Sequence, residues 1–249
     1  MIIKNKVEYN LDKAELAIEI FKEYFKNELS KALVEYPDVI EYGSLEYYIY
    51  VFYSCMLDYG MKSSYYHDNL IKTYKKFPDI FNPSYVLKNP DMLDDIIRNS
   101  VHVRYPRVAK TKWLKLSEFL TKESDLKTRI NNIESYKELS DYIDSTKSFG
   151  QKTGGLLKRL IADAVGKYTI DDIPIDRHDI EISYLLGVVN RLDLSASEIK
   201  ELSDVWVKAS KNMGVNPSLV DQYLWTIGVD FCTNKNCDAC PLKKICMHK

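Results

Sequence analysis

Along this chain, apolar residues recur three and four positions apart and not every second one, and that spacing predicts helices. Leu11 to Tyr36 places Leu16, Ile20, Phe21 and Tyr24 at helical intervals, with Pro37 as its end. Ser44 to Tyr59 is the most apolar stretch and reads as a helix buried on most sides, with Ser44 as its cap and Gly60 closing it. Helices at Tyr65–Phe77 and Asp91–Ser100 follow, separated by Pro78, Pro83 and Pro90. Arg107–Leu120 then reads as a basic amphipathic helix after Pro106. A polar link over Thr121–Arg129 leads to a helix at Tyr136–Ser145, a turn at Thr146–Gly150 and a helix from Gln151 to Val165. Pro174 suits a first helical turn before a segment carrying Ile180, Ile182, Leu185, Leu186 and Val189. Ser195 or Ser197 caps a helix to about Met213, and Pro217 starts the last one, through Trp225. No segment alternates as a strand between hairpin turns, and no repeat is visible. The predicted fold class is all-α, with about ten to twelve helices.

Composition narrows the class. A chain of 249 residues holds one large domain or two small ones, and 45% apolar with 29% charged residues is ordinary for a folded protein. Nine glycines and eight prolines are too few for a many-turned all-β fold. The first residues carry no apolar run, and no apolar segment reaches the length of a membrane span, so an intracellular, cytoplasmic protein is expected. A net charge of −1 argues against a protein wrapped in nucleic acid on all sides, yet permits a local basic face. Arg104, Arg107, Lys110, Lys112 and Lys115 form one basic cluster; Lys147, Lys152, Lys158 and Arg159 form another. Solvated faces of amphipathic helices are the plainer reading of both. Five cysteines are present, four of them in the last 18 residues, a grouping that favours a metal site over disulfides in a reducing compartment.

Chemistry concentrates in two places. In Lys147-Ser148-Phe149-Gly150-Gln151-Lys152-Thr153-Gly154-Gly155, a glycine-containing turn opens a helix with a lysine in its first turn. Backbone N–H groups at such a helix start suit a phosphate, and Lys147 and Lys158 add charge. A structural helical hairpin, with Lys152 contacting phosphate, satisfies the same residues. Ile175-Asp176-Arg177-His178 then puts a carboxylate at the mouth of the next helix, with Asp171 and Asp172 as rival carboxylates in the preceding loop. The second place is Cys232-x4-Cys237-x2-Cys240-x5-Cys246. Four thiolates so spaced close around a tetrahedral zinc or a cubane cluster, and spacing alone does not choose.

The turn resembles the helix-hairpin-helix of DNA glycosylases related to endonuclease III, whose pattern is Leu-Pro-Gly-Val-Gly-x-Lys-Thr-Ala. Gly150, Lys152 and Thr153 match; Ser148 replaces the first glycine, and the Leu-Pro is missing. The family's Val-Asp-Thr-His is similar to the residues from Ile175 to His178, although the lysine-to-aspartate interval of 24 is about six longer here. The tail resembles the family's Cys-x6-Cys-x2-Cys-x5-Cys module in its last two intervals, with the first two residues shorter.

The resemblance implies a two-lobed all-α fold with a DNA cleft between lobes: 43–165 as one lobe, 1–42 with 166–230 as the other, and 231–249 as the loop of a 4Fe-4S cluster held by Cys232, Cys237, Cys240 and Cys246. It implies a monomeric, nucleoid-associated prokaryotic enzyme of base excision repair acting on double-stranded DNA with a damaged base or abasic site. Lys152 attacks C1′ and forms a Schiff base, Asp176 stabilises the developing charge or shuttles the amine proton, and β-elimination nicks the strand. Ser148, Phe149, Gly150, Gln151, Thr153 and Gly154 contact DNA, together with Lys235 in the shortened first loop of the tail. The side chain filling the gap left by a flipped base comes from the Asp58–Lys62 turn, with Tyr59 or Met61 as candidates and Tyr105 as a second wedge. Lys243 and Lys244 sit near a phosphate, His178 orients or packs, and Cys55 is an inert core residue. The alternatives are a monofunctional glycosylase and a non-catalytic DNA-binding protein with a zinc tail. The damaged base itself is not legible.

Overall fold

The computed structural model describes residues 6–26, 35–58, 62–123 and 125–247. Among them are twelve α-helices and no strand beyond one isolated bridge between Tyr9 and Val189, so the all-α expectation holds. Chain packing divides the protein into two compact units, Lys31–Tyr168 and a discontinuous one built from Met1–Ser30 and Thr169–Lys249.

The continuous unit is organised around α2 (Leu45–Leu57), whose near-unbroken apolar sequence leaves almost every side chain inaccessible. Its cap is the expected one: the Ser44 hydroxyl accepts from the Tyr47 N–H at 3.1 Å. Packed around it are α6 (Pro106–Lys122), α7 (Leu126–Asn131) and α9 (Gln151–Val165), with α8 (Tyr136–Ser145) against α9; α3 (Ser63–Lys76) is tied to it by the Tyr66 hydroxyl, which donates to Ser54 O at 2.9 Å, and by the Tyr50–Tyr74 ring pair. Between α3 and α6 run the short α4 (Pro83–Lys88) and α5 (Pro90–Ile96). Tyr53 of α2 stacks on Trp113 of α6 at 4.6 Å, and the two polar tips are satisfied internally. Trp113 Nε1 donates to Ile80 O at 2.9 Å, and the Tyr53 and Ser117 hydroxyls bond at 2.7 Å. These buried aromatics with partnered polar ends fix how α2 and α6 sit against each other.

The second unit pairs α1 (Leu11–Phe25) with α11 (Ala196–Asn212), and sets α10 (Arg177–Leu185) against α12 (Pro217–Thr226). Phe25 of α1 lies parallel to Tyr223 of α12 at 4.7 Å, and Trp206 Nε1 of α11 donates to Ser183 Oγ of α10 at 3.0 Å.

Several expected boundaries move. α1 ends at Phe25, where Lys26 turns left-handed (φ 50°), rather than running to Tyr36; residues 27–34 lie outside the described residues. Pro174 precedes α10 instead of opening it, because Asp176 is the N-cap. Pro83 and Pro90 are not separators but first-turn residues of α4 and α5, where a missing N–H costs nothing. The polar link after α6 contains α7, capped by Asp125, whose Oδ1 accepts from the Thr128 N–H at 3.0 Å. No helix among the described residues is long and apolar enough to cross a membrane.

Candidate functional site

The hairpin between α8 and α9 is built by local bonds. Lys147 adopts a left-handed conformation (φ 53°), which reverses the chain after α8. Ser148 N–H donates to the Thr146 hydroxyl at 3.2 Å, and the Ser148 hydroxyl donates to Thr146 O at 3.1 Å, so Ser148 braces the turn. Gly150 is the N-cap of α9, and Thr153 Oγ1 reaches back to accept the Gly150 N–H at 3.0 Å. Phe149 plugs the turn into the core: its ring lies 6.0 Å from Phe52 of α2. Gly154 lies against it: a Cβ there would stand 3.4 Å from Phe149 Cβ, at van der Waals contact.

Burial sorts the expected DNA contacts. Thr153 and Gly154 are buried, Ser148 and Phe149 half-buried, and Gly150, Gln151 and Lys152 exposed. The surface therefore presents the first turn of α9, whose leading N–H groups have no intrahelical acceptor and carry the positive end of the helix dipole.

Counting cations in the sequence overstated the local positive charge. Lys158 is buried and pairs with Asp144 of α8 at 2.9 Å, and Arg159 is 1% exposed beside Asp163 at 3.5 Å. Lys158 thus ties α9 to α8 while Arg159 pairs within α9, and neither charge is presented to a phosphate. Lys147 and Lys152 remain exposed. Of the earlier cluster, Arg104, Arg107 and Lys115 are exposed, while burial holds the Lys112 amine below its ordinary range. Tyr105 is 49% exposed with the Arg104 guanidinium 5.3 Å from its ring. Tyr59 and Met61 lie outside the described residues.

At the end of α2 the structure buries a carboxylate that pattern reading missed. Asp58, at the C-terminus of α2, is 5% exposed; its Oδ2 accepts from the Ser63 hydroxyl at 3.2 Å and lies 3.6 Å from His67 Nε2. Burial pushes its carboxyl up, but His67, Lys152 and Ser63 together outweigh that and hold it below the ordinary carboxylate value. The sequence signal was a carboxylate ending an otherwise apolar helix.

Asp176 caps α10: its Oδ1 accepts from the N–H groups of His178 at 2.7 Å and Asp179 at 3.2 Å. Asp179 answers reciprocally, accepting the Asp176 N–H at 2.7 Å. Asp179 is 4% exposed, and burial first, then the charges of Asp176 and Asp221, push its carboxyl well above the ordinary range. Asp171 is committed to Lys211 of α11 at 2.9 Å. Burial raises the Asp172 carboxyl against an opposing pull from Lys200, with Asp221 and Asp204 adding to the rise. His178 is exposed, and its Cβ comes within 3.3 Å of where a Cβ on Gly228 would stand, so Gly228 permits α10 to pack there.

The C-terminal cysteines lie on a tightly wound loop. Cys240 N–H bonds to Cys237 O at 3.2 Å, Lys243 N–H to Cys240 O at 3.1 Å, and Cys246 N–H to Leu242 O at 2.9 Å; Met247 N–H then ties the end to Leu185 O of α10 at 2.7 Å. All four thiols are free; Cys232, Cys240 and Cys246 are half-buried and Cys237 is exposed. They lie near enough to act on one another: burial first, then Cys240 and Cys246, push the Cys232 thiol up to about 11. Among the described residues no three such side chains converge tightly enough for a single metal ion. A tetrahedral zinc needs its sulfurs roughly 3.8 Å apart, given Zn–S bonds of about 2.3 Å; a cubane spreads its four thiolates more widely, and an all-cysteine donor set suits it. Lys243 is engaged by Asp238 at 2.6 Å, and Lys235 is exposed in a left-handed turn (φ 53°). Cys55 is fully buried, and burial pushes its thiol well up, which suits an inert core residue.

No protein-family model matches the sequence, and no curated protein does. Solved structures do match. The 8-oxoguanine DNA glycosylase of Thermotoga maritima superposes with a TM-score of 0.59 at 16% identity, over 88% of this chain and 97% of that one. The 8-oxoguanine DNA glycosylase of Methanocaldococcus jannaschii gives 0.57 at 17% identity, over 88% and 94%. This chain has the helix-hairpin-helix DNA glycosylase fold. At such identities the likeness is one of fold. On the glycosylase fold of this chain, the α8–α9 hairpin offers an exposed first helical turn carrying Lys152, and α10 begins at a capping Asp176.

Proposed function

We propose that this protein is a base-excision-repair DNA glycosylase with AP lyase activity, in which Lys152 is the nucleophile. The observation that carries the reading is an exposed lysine in the first turn of α9, after a glycine-capped hairpin, in a chain with a DNA glycosylase fold. The partner is double-stranded DNA containing a damaged base or an abasic site, bound by a monomer. Phosphate oxygens accept from the N–H groups of Gln151 and Lys152 at the positive end of α9. Arg104, Arg107 and Lys115 add long-range attraction, and Tyr105 fills the space of a flipped base.

The neutral Lys152 amine attacks C1′ of the nucleotide, and the departing base takes the N-glycosidic electron pair and a proton. Nitrogen's lone pair then opens the sugar ring to give a Schiff base at C1′. Loss of a C2′ proton expels the 3′ phosphate by β-elimination and nicks the strand. Asp176, at the start of α10, stabilises the cationic sugar and accepts the amine proton. The two solved neighbours are named for 8-oxoguanine, which makes it the first lesion to test. Cys232, Cys237, Cys240 and Cys246 are assigned to a 4Fe-4S cluster whose part is structural, bracing the chain end against α10.

The test is borohydride trapping on a panel of duplexes carrying 8-oxoguanine, an oxidised pyrimidine, a mismatched thymine or an abasic site. The expected result is a covalent protein–DNA adduct that Lys152→Ala abolishes. No adduct from the wild-type chain, or one that survives Lys152→Ala, removes the lyase assignment.

A further inference from the structure

We infer that a cleft at the start of α2 is a docking site for an arginine side chain presented by a partner protein, its guanidinium held between the Glu46 carboxylate and an aromatic corner made by Tyr74 and Phe81. The inference stands apart from the glycosylase reading and uses none of the residues placed in that chemistry.

Of the thirteen residues of α2 only Leu45, Glu46 and Ile49 reach solvent. A glutamate in a first helical turn is favoured by the helix dipole alone, so the carboxylate by itself signals nothing; its surroundings do. Glu46 and Ile49 line a cleft of about 280 Å³. Its other lining comes from Tyr74 near the end of α3, Pro78 and Phe81 of a 3-10 turn (Pro78–Phe81), and Pro83 at the start of α4. The start of α2 lies beside the end of α9, where a Cβ on Gly43 would stand 3.9 Å from Ala164 O. About 18 Å of helix separates Ala164 from Lys152 at the α-helical rise, so an occupant of the cleft leaves the α8–α9 turn uncovered. The cleft is also preorganised. Phe81 is buried, stacked on Tyr50 at 5.4 Å, and meets Tyr53 and Trp113 edge-on at 5.9 and 5.5 Å. Both prolines fix their backbone, so binding freezes little on this side.

Shape and charge select the occupant. The Tyr74 and Phe81 ring centroids are 5.1 Å apart with their planes at 54°. Such a corner offers a flat heterocycle one stacking surface, whereas a compact cation interacts with both ring systems. Glu46 carries the only charge among the described residues that line the cleft, so the site complements a cation and repels a phosphate. Lys76, at the end of α3, is engaged elsewhere, with its ammonium 4.9 Å from the Phe77 ring. Arginine fits better than lysine: its planar guanidinium stacks on aromatic rings, forks onto a carboxylate and is more weakly hydrated. Small-molecule pockets start at about 300 Å³, so this cleft suits one side chain better than a whole cofactor. Leu45, 39% exposed next to Glu46, suits an apolar neighbour of that arginine on the same peptide.

The experiment titrates the full chain, ¹³C-labelled at its isoleucine δ1 methyls, with the peptide acetyl-Gly-Leu-Arg-Leu-Gly-amide. The Ile49 signal, assigned by its absence in Ile49→Val, reports from inside the cleft. Saturable shifts at Ile49 are expected. Replacing the arginine by citrulline, its neutral isostere, should weaken binding about tenfold, since the ion pair and the cation–π contact are both lost. Glu46→Gln, at an exposed position that leaves folding intact, should weaken the arginine peptide about threefold, the scale of an exposed ion pair. Tyr74→Leu should weaken it about threefold through the lost ring. Asp141→Asn, at an exposed carboxylate of α8, should leave it unchanged and so controls for general charge attraction. A silent Ile49 while other methyls shift, equal affinity for the two peptides, or unchanged binding in both Glu46→Gln and Tyr74→Leu overturns the proposal. Tighter binding of acetyl-Pro-Pro-Leu-Pro-Pro-amide than of the arginine peptide also overturns it and assigns the cleft to a proline-rich partner. Borohydride trapping on abasic DNA should proceed unchanged in saturating peptide; its loss would place the peptide on the DNA-binding surface and overturn the assignment to this cleft.

Discussion

Removing Asp144 and removing Lys158 should have unequal consequences, although they break the same ion pair. Lys158 Nζ lies 2.9 Å from Asp144 Oδ1, and the side chains are 9% and 66% exposed. Asp144→Ala leaves an ammonium inside the α8–α9 interface without its counter-charge, a loss of about 1–3 kcal/mol for an unsatisfied buried polar group. The 3–5 kcal/mol typical of a fully buried broken pair is an upper limit, because the Asp144 side reaches solvent and water partly replaces it. About 2 kcal/mol is the working figure, which lowers Tm by roughly 4–8 °C for a chain of this length. Lys158→Met keeps the apolar stem and strands only an exposed carboxylate, so its change should stay within about 1 kcal/mol. Thermal unfolding followed by circular dichroism measures both. Equal losses, or a larger loss in Lys158→Met, would refute the asymmetry and with it the statement that burial of the lysine dominates this pair. Because the pair sets the hairpin beneath Lys152, Asp144→Ala is also expected to slow adduct formation on abasic DNA.

Other expectations follow from single sites. Burial holds the Asp179 carboxyl well above its ordinary range in the folded chain, so the stability associated with it is present below the ordinary carboxylate range and is lost as pH rises. Asp179→Asn, which can still accept the Asp176 N–H, should therefore match the wild type near pH 4 and exceed it in Tm at pH 8; the reverse order contradicts the burial argument. Phe149→Ala removes the ring that seats the turn on Phe52 and should cost about 2–4 kcal/mol in denaturant unfolding, toward the low end because Phe149 is half-buried. The purified chain should be brown and contain iron and acid-labile sulfide, with Cys240→Ala losing both; a colourless wild-type protein holding zinc contradicts the cluster assignment.

What the sequence could convey depended on how local the cause was. The near-unbroken apolar run from Leu45 to Leu57 announced a central helix, and α8 and α9 were legible to the residue because caps and periodicity agree there. α1 was overrun because a left-handed Lys26 leaves no trace in hydrophobic spacing. The short α4 and α7 were missed because six residues show barely two helical turns of pattern. At the candidate site, Lys152 and Asp176 were singled out from motif spacing. Asp58 and His67 were not, because their meeting depends on how α3 folds back onto the end of α2. Charge counting likewise took Lys158 and Arg159 for surface cations, since burial beside Asp144 and Asp163 is a property of the packed hairpin.

The most direct measurement is the location of the sugar remnant after borohydride reduction. Peptide mapping by mass spectrometry of the trapped, nuclease-digested adduct should place the added mass on Lys152. The same mass on Lys147, the other exposed amine of the hairpin, or on any residue outside it, would contradict the assignment of the nucleophile.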